Sequence, residues 1–228
     1  ALKNERPVWL VEKITIMFKW LNCIYLKDNR FPRFNDSPHN GCPSIEVVHK
    51  YAKSYIERKA FELNGLRNLL IKSIFPTDID SKLKINKDLN PIIHLPSTGW
   101  IIARPNWDWE LLFKNGEACP KHIPGHAHSD LLSFDIFHKS VPKIAEVGTS
   151  IYGNGNDRLF ERSSKAHNVF QIAPFKKNYK FDNLNWIEPV EIWGAFRAGR
   201  KSKCKNIKYR FDNQKNFLVS AEHNGFLK

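Results

Sequence analysis

The chain has 228 residues, of which 42% are hydrophobic and 13% aromatic. This is enough apolar material to bury a core, which excludes a disordered chain. No run of 18 apolar residues occurs, which excludes a transmembrane helix. The 36 Lys and Arg against 23 Asp and Glu give a net charge of +13 at pH 7. Such a charge favours a polyanionic partner: nucleic acid, acidic lipid or acidic polysaccharide.

The four cysteines indicate no dedicated site. None of them lies in a CxxC pair, which argues against a zinc knuckle or a thioredoxin-type centre. They are also too few and too scattered for a disulfide framework. We expect buried small side chains, with one bridge at most, at Cys23, Cys42, Cys119 and Cys204.

The first third of the chain is predicted to be helical. Pro7 suits the start of a helix, and apolar residues follow it at a spacing near 3.6 as far as Tyr25. Prolines and a glycine predict a loop over residues 28–44. Ser44 then resembles an N-cap for a second helix that ends near residue 56, and a third short helix is predicted over Leu63–Phe75.

From about Ile92 the hydrophobic period falls to two, which is typical of strands. Because these strands follow one another without intervening helices, they predict an antiparallel sandwich rather than βαβ units. The fold class is therefore α+β, with a helical segment at 1–85 and a sandwich at 90–228. Both ends of the chain look cut, so we expect a piece of a larger protein that is truncated at its C-terminus. The predicted strands are Trp100–Arg104, Trp107–Phe113, a hairpin of Leu131–Phe137 with Val141–Val147, His167–Ile172, Ile187–Phe196, Ile207–Phe211 and Phe217–Glu222.

Residues with chemical potential concentrate between Gly125 and His167. If the segment around His126 and His128 is extended, both imidazoles point to one side, with roughly 6 to 7 Å between their Cα atoms. Together, His128, Glu146 and His167 would make a His₂Glu metal site with a fourth position open to water or substrate. Taken singly, each residue has another interpretation: a hydrogen-bonded core histidine, or a solvated glutamate near a turn.

Three blocks of sequence resemble the core of the heparinase II/III-like family of polysaccharide lyases. The blocks are GHAHSDLLSF (residues 125–134), EVGT (146–149) and RSSKAHNV (162–169). The loop RFPRFNDS (30–37) also resembles the end of that family's helical toroid. The resemblance implies the end of an incomplete α/α toroid followed by an antiparallel β-sandwich. It further implies a periplasmic or extracellular enzyme that cleaves uronate-containing polysaccharides, such as heparan sulfate or alginate, by β-elimination.

The resemblance also implies roles for single residues. His126 falls on a histidine of the substrate cleft, and His128 and His167 fall on zinc ligands. Glu146 stands where the family usually has Asp, and its carboxylate reaches one methylene further. Arg162 is a candidate to bind a substrate carboxylate or sulfate as a bidentate fork, although a surface ion pair is an equal alternative.

Two further residues complete the predicted site. Asn168, in the third block, is a candidate for substrate binding, and Tyr152 is a candidate catalytic residue, although packing in the β domain is its alternative role. No clear equivalent of the family's catalytic Tyr occurs among residues 1–80. We therefore hypothesise that this chain carries the metal half of a lyase site and that the acid/base half lies on sequence outside it.

Three classes of function remain after these arguments. The first is a zinc-containing polysaccharide lyase, or a piece of one, whose partner is an acidic polysaccharide. The second is a carbohydrate-binding or structural β-sandwich that keeps the fold but lacks the catalytic Tyr. The third is a nucleic-acid binder, which charge alone favours and which ranks last because no recognised nucleic-acid-binding motif occurs. The oligomeric state is left open.

Overall fold

The computed structural model describes residues 7–39, 43–57, 90–106, 108–171, 188–212 and 216–225. The chain divides into two compact units, one of residues 1–31 and 40–89 and the other of residues 32–39 and 90–228. Within the described ranges, no helix is long and apolar enough to cross a membrane.

The first unit contains helices α1 (Val8–Ile24) and α2 (Ile45–Glu57). Both confirm the helices expected from the sequence. Ser44 Oγ accepts a hydrogen bond from the Val47 backbone N–H at 3.5 Å, as an N-cap does. The helices meet through a small core of buried side chains, and the predicted third helix lies outside the described residues. That core comprises Leu21, Tyr25 and Ile45.

The second unit is built on a five-stranded antiparallel sheet. Its strands follow chain order, β1-β2-β3-β4-β5. Buried aliphatic side chains fill its interior, and Ile102 on the second strand pairs with Leu112 on the third. The strands are β1 (Ile92–Leu95), β2 (Trp100–Ala103), β3 (Trp109–Lys114), β4 (Phe134–His138) and β5 (Val141–Ile144).

Two further antiparallel hairpins complete the described β structure. One joins β6 (Val190–Ile192) to β7 (Ala198–Lys201), and the other joins β8 (Cys204–Phe211) to β9 (Phe217–His223). The predicted α+β class with antiparallel sheets is confirmed.

Three local predictions differ from the structure. A short helix, α3 (Asn156–Arg162), lies where no helix was predicted. The strand predicted at His167–Ile172 is wrong in its described part, because the His167 N–H bonds to the Ser164 carbonyl and closes a 3₁₀ turn. The strand predicted at Ile187–Phe196 is shorter, since it ends at Ile192 before a turn closed by the Trp193 N–H and the Arg197 carbonyl, 3.1 Å apart.

Residues 32–39, which were predicted to belong to the helical segment 1–85, lie in the sheet unit. The buried Lys114 side chain helps to hold them there. Its Nζ lies 2.6 Å from both Asp130 carboxylate oxygens. The same ammonium donates to Asn35 Oδ1 at 2.7 Å. Asp130 comes from the GHAHSD block, so one lysine links that block, strand β3 and the 32–39 segment.

A second contact holds the far end of this segment. Pro38 forms an isolated bridge with Thr149, and the Thr149 N–H points to the Ser37 carbonyl at 3.4 Å. The neighbouring Gly148 has φ +71°, and a Cβ added there would lie 2.1 Å from the Ser37 carbonyl oxygen. Only glycine fits both the left-handed backbone and the close approach.

Replacing this glycine therefore tests how the segment is seated. We expect Gly148→Ala to lower the free energy of unfolding by about 2 kcal/mol or more, from the left-handed backbone and the clash together. Urea denaturation followed by tryptophan fluorescence measures the change. Gly153→Ala is the matched control, because an added Cβ there meets only Ile151 Cγ1, at 3.9 Å. Equal stability of the two variants would contradict the assigned packing.

Candidate functional site

The carboxylate of Asp36 is the centre of a cluster of charged and polar side chains. Its Oδ2 lies 2.7 Å from His126 Nδ1, and its Oδ1 lies 2.7 Å from His128 Nε2. The Asp36 side chain is only 5% exposed. Burial by itself raises the pKa of this carboxyl, but hydrogen bonds from His128, Arg158 and His126 outweigh it and hold the pKa below its usual value. Asp36 is therefore an anion that accepts from both imidazoles.

Arg158 supplies the positive charge that compensates Asp36. Its two terminal nitrogens bind the two Asp36 oxygens as a fork, with Nη2 at 2.7 Å from Oδ2. The remaining donors reach Thr149 Oγ1 at 3.0 Å, the Ala195 carbonyl at 3.1 Å and the Gly125 carbonyl at 3.3 Å. All five guanidinium N–H groups are thus used, and the side chain is fully buried.

His126 is the open end of the cluster. Its side chain is 56% exposed, whereas those of Asp36, His128 and Arg158 are buried. Because the Asp36 carboxylate can only accept, His126 Nδ1 carries the donated hydrogen. In the neutral ring this leaves the lone pair on Nε2. The predicted extended strand is replaced here by a short 3₁₀ turn at Pro124–His126, yet both imidazoles still contact the same carboxylate.

His128 and His167 form a pair of fully buried imidazoles. His128 Nδ1 lies 3.3 Å from His167 Nε2. Burial lowers the pKa of His128, although its hydrogen bond to Asp36 opposes the shift. On its other side His167 Nδ1 contacts Glu146 Oε2, and Glu146 Oε1 accepts the Asn168 backbone N–H at 3.0 Å. The result is a continuous chain of groups in the order Asp36, His128, His167, Glu146.

Behind Glu146 lies a second buried carboxyl group. Asp135 Oδ1 accepts the Glu146 backbone N–H at 2.6 Å. Burial raises the pKa of Asp135 to about 7, and the nearby negative charge of Glu146 acts in the same direction. Asp135 fixes the backbone of Glu146 and so completes the support of the His167 imidazole.

The geometry fits the predicted metal site only in part. Two nitrogen ligands on a tetrahedral zinc ion are about 3.3 to 3.4 Å apart, which agrees with the His128–His167 separation of 3.3 Å. Glu146, however, occupies the far nitrogen of His167 and does not point to the gap between the rings. Among the described residues, no group of three or more His, Cys, Asp or Glu side chains is placed to hold a metal ion. The predicted three-ligand set is therefore not assembled in this arrangement.

Arg162 lies differently from its predicted role as a substrate ligand. Its guanidinium is fully buried and donates to four backbone carbonyls instead of facing an open surface. These carbonyls belong to Pro124 and Ala127 on one side and to Gly194 and Arg197 on the other. Arg162 therefore ties two loops together, which the prediction from sequence did not anticipate.

The remaining two candidates lie near the cluster. Asn168 Nδ2 donates to the Phe134 carbonyl at 3.1 Å, so its amide serves the fold in this arrangement. Tyr152 is half exposed, and its ring centroid lies 6.3 Å from that of His126. Its hydroxyl donates to the Asp36 backbone carbonyl at 2.8 Å.

Two central residues, Asp36 and Arg158, were missed by sequence reasoning. Asp36 lies in the RFPRFNDS loop, whose likeness to the family was noted without assigning it a chemical role. Arg158 and Arg162 are four residues apart, which places them on one face of helix α3. Recognition of that short helix after Gly155 was the signal that could have paired them.

Removal of the Asp36 charge is expected to destabilise the second unit. Asp36→Asn keeps the size of the side chain but leaves the buried Arg158 without its anion, at a cost of about 3 kcal/mol or more. Chemical denaturation measures the change. Asp108→Asn is the control: its 51% exposed carboxylate lies 3.9 Å from Lys139 Nζ, and we expect a change below about 1 kcal/mol. A loss no larger than the control's would show that the Asp36–Arg158 pair does not support the fold.

Comparisons with known proteins place this architecture. No curated protein matches the chain significantly. Among solved structures, the heparinase III described as the BT4657 gene product with methylated lysines is similar over 99% of this chain and 30% of its own, at 16% identity and TM-score 0.58. A mutant of the heparan sulfate lyase HepC from Pedobacter heparinus gives the same four values. The unmutated HepC matches 93% of this chain and 28% of its own, at 18% identity and TM-score 0.53.

These likenesses concern the fold, and this chain spans about 30% of the length of those structures. The family model for the heparinase II/III-like C-terminal domain matches residues 87–228, more than half of the chain. That range contains all the predicted site residues, whereas Asp36 lies outside it. The chain belongs to the heparinase II/III-like family.

Proposed function

We propose that this chain is the β-domain part of a polysaccharide lyase that cleaves a uronate-containing acidic polysaccharide by β-elimination. The observation that carries the proposal concerns the His126 imidazole. It is 56% exposed, and its Nδ1 is held by Asp36, which is itself paired with the buried Arg158. Family membership supports a lyase, and the similar structures include a heparinase III and a heparan sulfate lyase.

The chemistry of β-elimination needs a positioned proton-transfer group. A base takes up the proton on the carbon beside the uronate carboxylate, and the electron pair of the broken C–H bond forms a carbon–carbon double bond. The bond from the neighbouring carbon to the glycosidic oxygen breaks, and the leaving oxygen takes up a proton. We assign His126 Nε2 as this base, because His126 Nδ1 is held by Asp36.

Charge complementarity supports an acidic substrate. The chain carries +13 at pH 7, which draws a polyanion toward it over distance. Within the cluster, however, Arg158 is neutralised by Asp36, and Arg162 is bound to carbonyls. Neutralisation of the substrate carboxylate is therefore assigned to groups outside this cluster.

The group that protonates the leaving oxygen is also assigned to sequence outside this chain. The Tyr152 ring centroid lies 6.3 Å from that of His126, but the Tyr152 hydroxyl already donates to the Asp36 carbonyl. The solved relatives are about three times as long as this chain, which leaves room in a complete protein for the missing group.

A non-catalytic carbohydrate-binding domain is the second candidate. The engaged Tyr152 hydroxyl favours it, and so does the position of Glu146 on the far side of His167. The two candidates differ in one measurable respect, because only a lyase releases products that bear an unsaturated uronate.

We also propose that His128 and His167 would hold a zinc ion. Each ring's far nitrogen is held by a carboxylate, Asp36 for His128 and Glu146 for His167, which is how proteins orient metal-binding histidines. The hydrogen bond between His128 Nδ1 and His167 Nε2 needs a proton on one of these nitrogens. A cation could replace that proton. Zinc held by His128 and His167 would supply a Lewis acid and would link the two loops that carry these residues.

Replacement of His126 tests the lyase proposal. We expect His126→Ala to lower kcat for heparan sulfate or alginate by roughly 100-fold or more, since a proton-transfer group is lost. The assay follows the ultraviolet absorbance of unsaturated products from the full-length gene product. His122→Ala, at an exposed histidine four residues upstream, is expected to keep full activity. Release of products by His126→Ala at the unaltered rate would contradict the role assigned to His126.

Metal content tests the zinc proposal independently of activity. We expect purified protein to carry zinc by elemental analysis, and His128→Ala to lose it together with thermal stability, because binding to the folded state stabilises that state. His122→Ala should keep the metal. An unaltered metal content in His128→Ala would remove His128 from the site, and the absence of metal from the unmodified protein would end the proposal.

A further inference from the structure

The turn between β6 and β7 presents an aromatic side chain beside the His126 cluster. The turn spans Trp193–Arg197 and is closed by the 3.1 Å bond from the Trp193 N–H to the Arg197 carbonyl. Within it Ala195 is buried, at 7% exposure, whereas the next residue, Phe196, is 45% exposed. The large apolar side chain of Phe196 is thus partly exposed to solvent, although the neighbouring Ala195 is buried.

Two buried arginines hold the backbone of this turn. Arg158 Nε donates to the Ala195 carbonyl at 3.1 Å. Arg162 Nη1 donates to the Gly194 carbonyl and, at 3.3 Å, to the Arg197 carbonyl. Phe196 therefore lies between two carbonyls that are each fixed by a fully buried guanidinium. Its exposure is imposed by the packing of α3 and is not the result of a loose loop.

The same arginines connect the turn to the candidate site. Arg158 also binds Asp36 and the Gly125 carbonyl, and Arg162 also binds the Ala127 carbonyl. A methyl group placed on Gly125 would lie 3.4 Å from the Phe196 carbonyl oxygen and 3.7 Å from Phe196 Cβ. The turn therefore packs against the residue that immediately precedes His126.

Phe196 and Tyr152 together form an aromatic platform next to His126. Their rings are nearly parallel, with an interplanar angle of 14° and centroids 6.5 Å apart. The guanidinium carbon of Arg158 lies 5.3 Å from the Tyr152 centroid and 5.4 Å from the Phe196 centroid. The hydrogen bond from Tyr152 to the Asp36 carbonyl fixes the first ring, and the clamped turn fixes the second.

We propose that this platform, Tyr152 with Phe196, is a subsite that stacks against the apolar face of a sugar ring in an acidic polysaccharide. Sugar rings present C–H groups on one face, which pack on aromatic rings as other apolar surfaces do. Because Arg158 is already neutralised by Asp36, the platform recognises the ring face and not the carboxylate. The inference rests on the proposed function, which brings such a polysaccharide to His126.

The platform gives Phe196 a specific role. Phe196 packs against Gly125 and stacks with Tyr152, and we assign it to the sugar unit next to the one whose bond breaks, as a positioning residue. A ring held in advance loses little freedom when the sugar binds, which increases the affinity gained from a small contact. Exposed aromatic side chains elsewhere, such as Phe160 on α3 at 54% exposure, lack this placement and provide a comparison.

The test compares Phe196→Ala, Phe196→Leu and Phe196→Trp with Phe160→Ala. Each full-length variant is assayed for cleavage of heparan sulfate and for retardation in a native gel that contains heparan sulfate. We expect Phe196→Ala and Phe196→Leu to raise KM and weaken retardation roughly three- to tenfold, the effect of one lost aromatic stack. Phe196→Trp should keep both values near those of the unmodified protein, and Phe160→Ala should change neither. Phe196→Leu retains apolar volume, so a loss in that variant reports the ring and not the fold.

The outcomes separate this inference from the proposed function. If the unmodified protein is retarded without releasing product, and Phe196→Leu is retarded roughly three- to tenfold more weakly, the subsite stands and the lyase assignment falls. If the protein cleaves the polymer and Phe196→Leu matches it in KM and in retardation, the subsite is overturned while the lyase stands. Self-association of the unmodified protein that Phe196→Leu abolishes, without any change in KM or retardation, would assign the platform to a second copy of the chain and also overturn the inference.

Discussion

The buried ion pair between Asp36 and Arg158 is the interaction on which the candidate site depends. An isolated ion is costly to bury, so each of these groups requires the other. Their pairing brings together the 32–39 segment and helix α3, although Asp36 and Arg158 are 122 residues apart in sequence. Once paired, the Asp36 carboxylate has a fixed position and accepts from two imidazoles, and the remaining Arg158 donors fix the segments around Gly125, Thr149 and Ala195.

This arrangement divides the histidines by their exposure. His126 lies at the surface with one nitrogen held by Asp36, so its other nitrogen is available to a ligand. His128 and His167 lie inside, each between a carboxylate and the other ring. The Asp36 carboxylate thus contacts two kinds of imidazole. His126 is exposed and suited to contact a substrate, whereas His128 belongs to a buried pair with His167 that is suited to share a proton or to bind a metal ion. The division follows from the turn at Pro124–His126, after which Ala127 packs into the hydrophobic core.

Helix α3 has a larger part than its seven residues suggest. Its two arginines, one turn apart, donate nine hydrogen bonds between them to Asp36, Thr149 and backbone carbonyls of two loops. Hydrogen bonds from a buried guanidinium are stronger than neutral ones, because the charge has no other solvation. These bonds set the position of the β6–β7 turn and with it the exposed ring of Phe196. The family match begins at residue 87, so the hydrogen bonds of Arg158 join residues inside that match to Asp36, which lies outside it.

Hydrophobic period and capping are local properties, so the α+β class, helices α1 and α2 and the β4–β5 hairpin could be predicted from the sequence. It also brought His126, His128, Glu146 and His167 to attention through motifs whose order along the chain is distinctive. The contacts that those residues make could not be predicted in this way, because they are set by the packed structure. Arg162 faces carbonyls and not solvent, Glu146 holds the far side of His167, and Asp36 lies at the centre, because each contact joins segments that are distant along the chain. Periodicity carries no information about such pairings, which depend on how buried charges find partners once the core has formed.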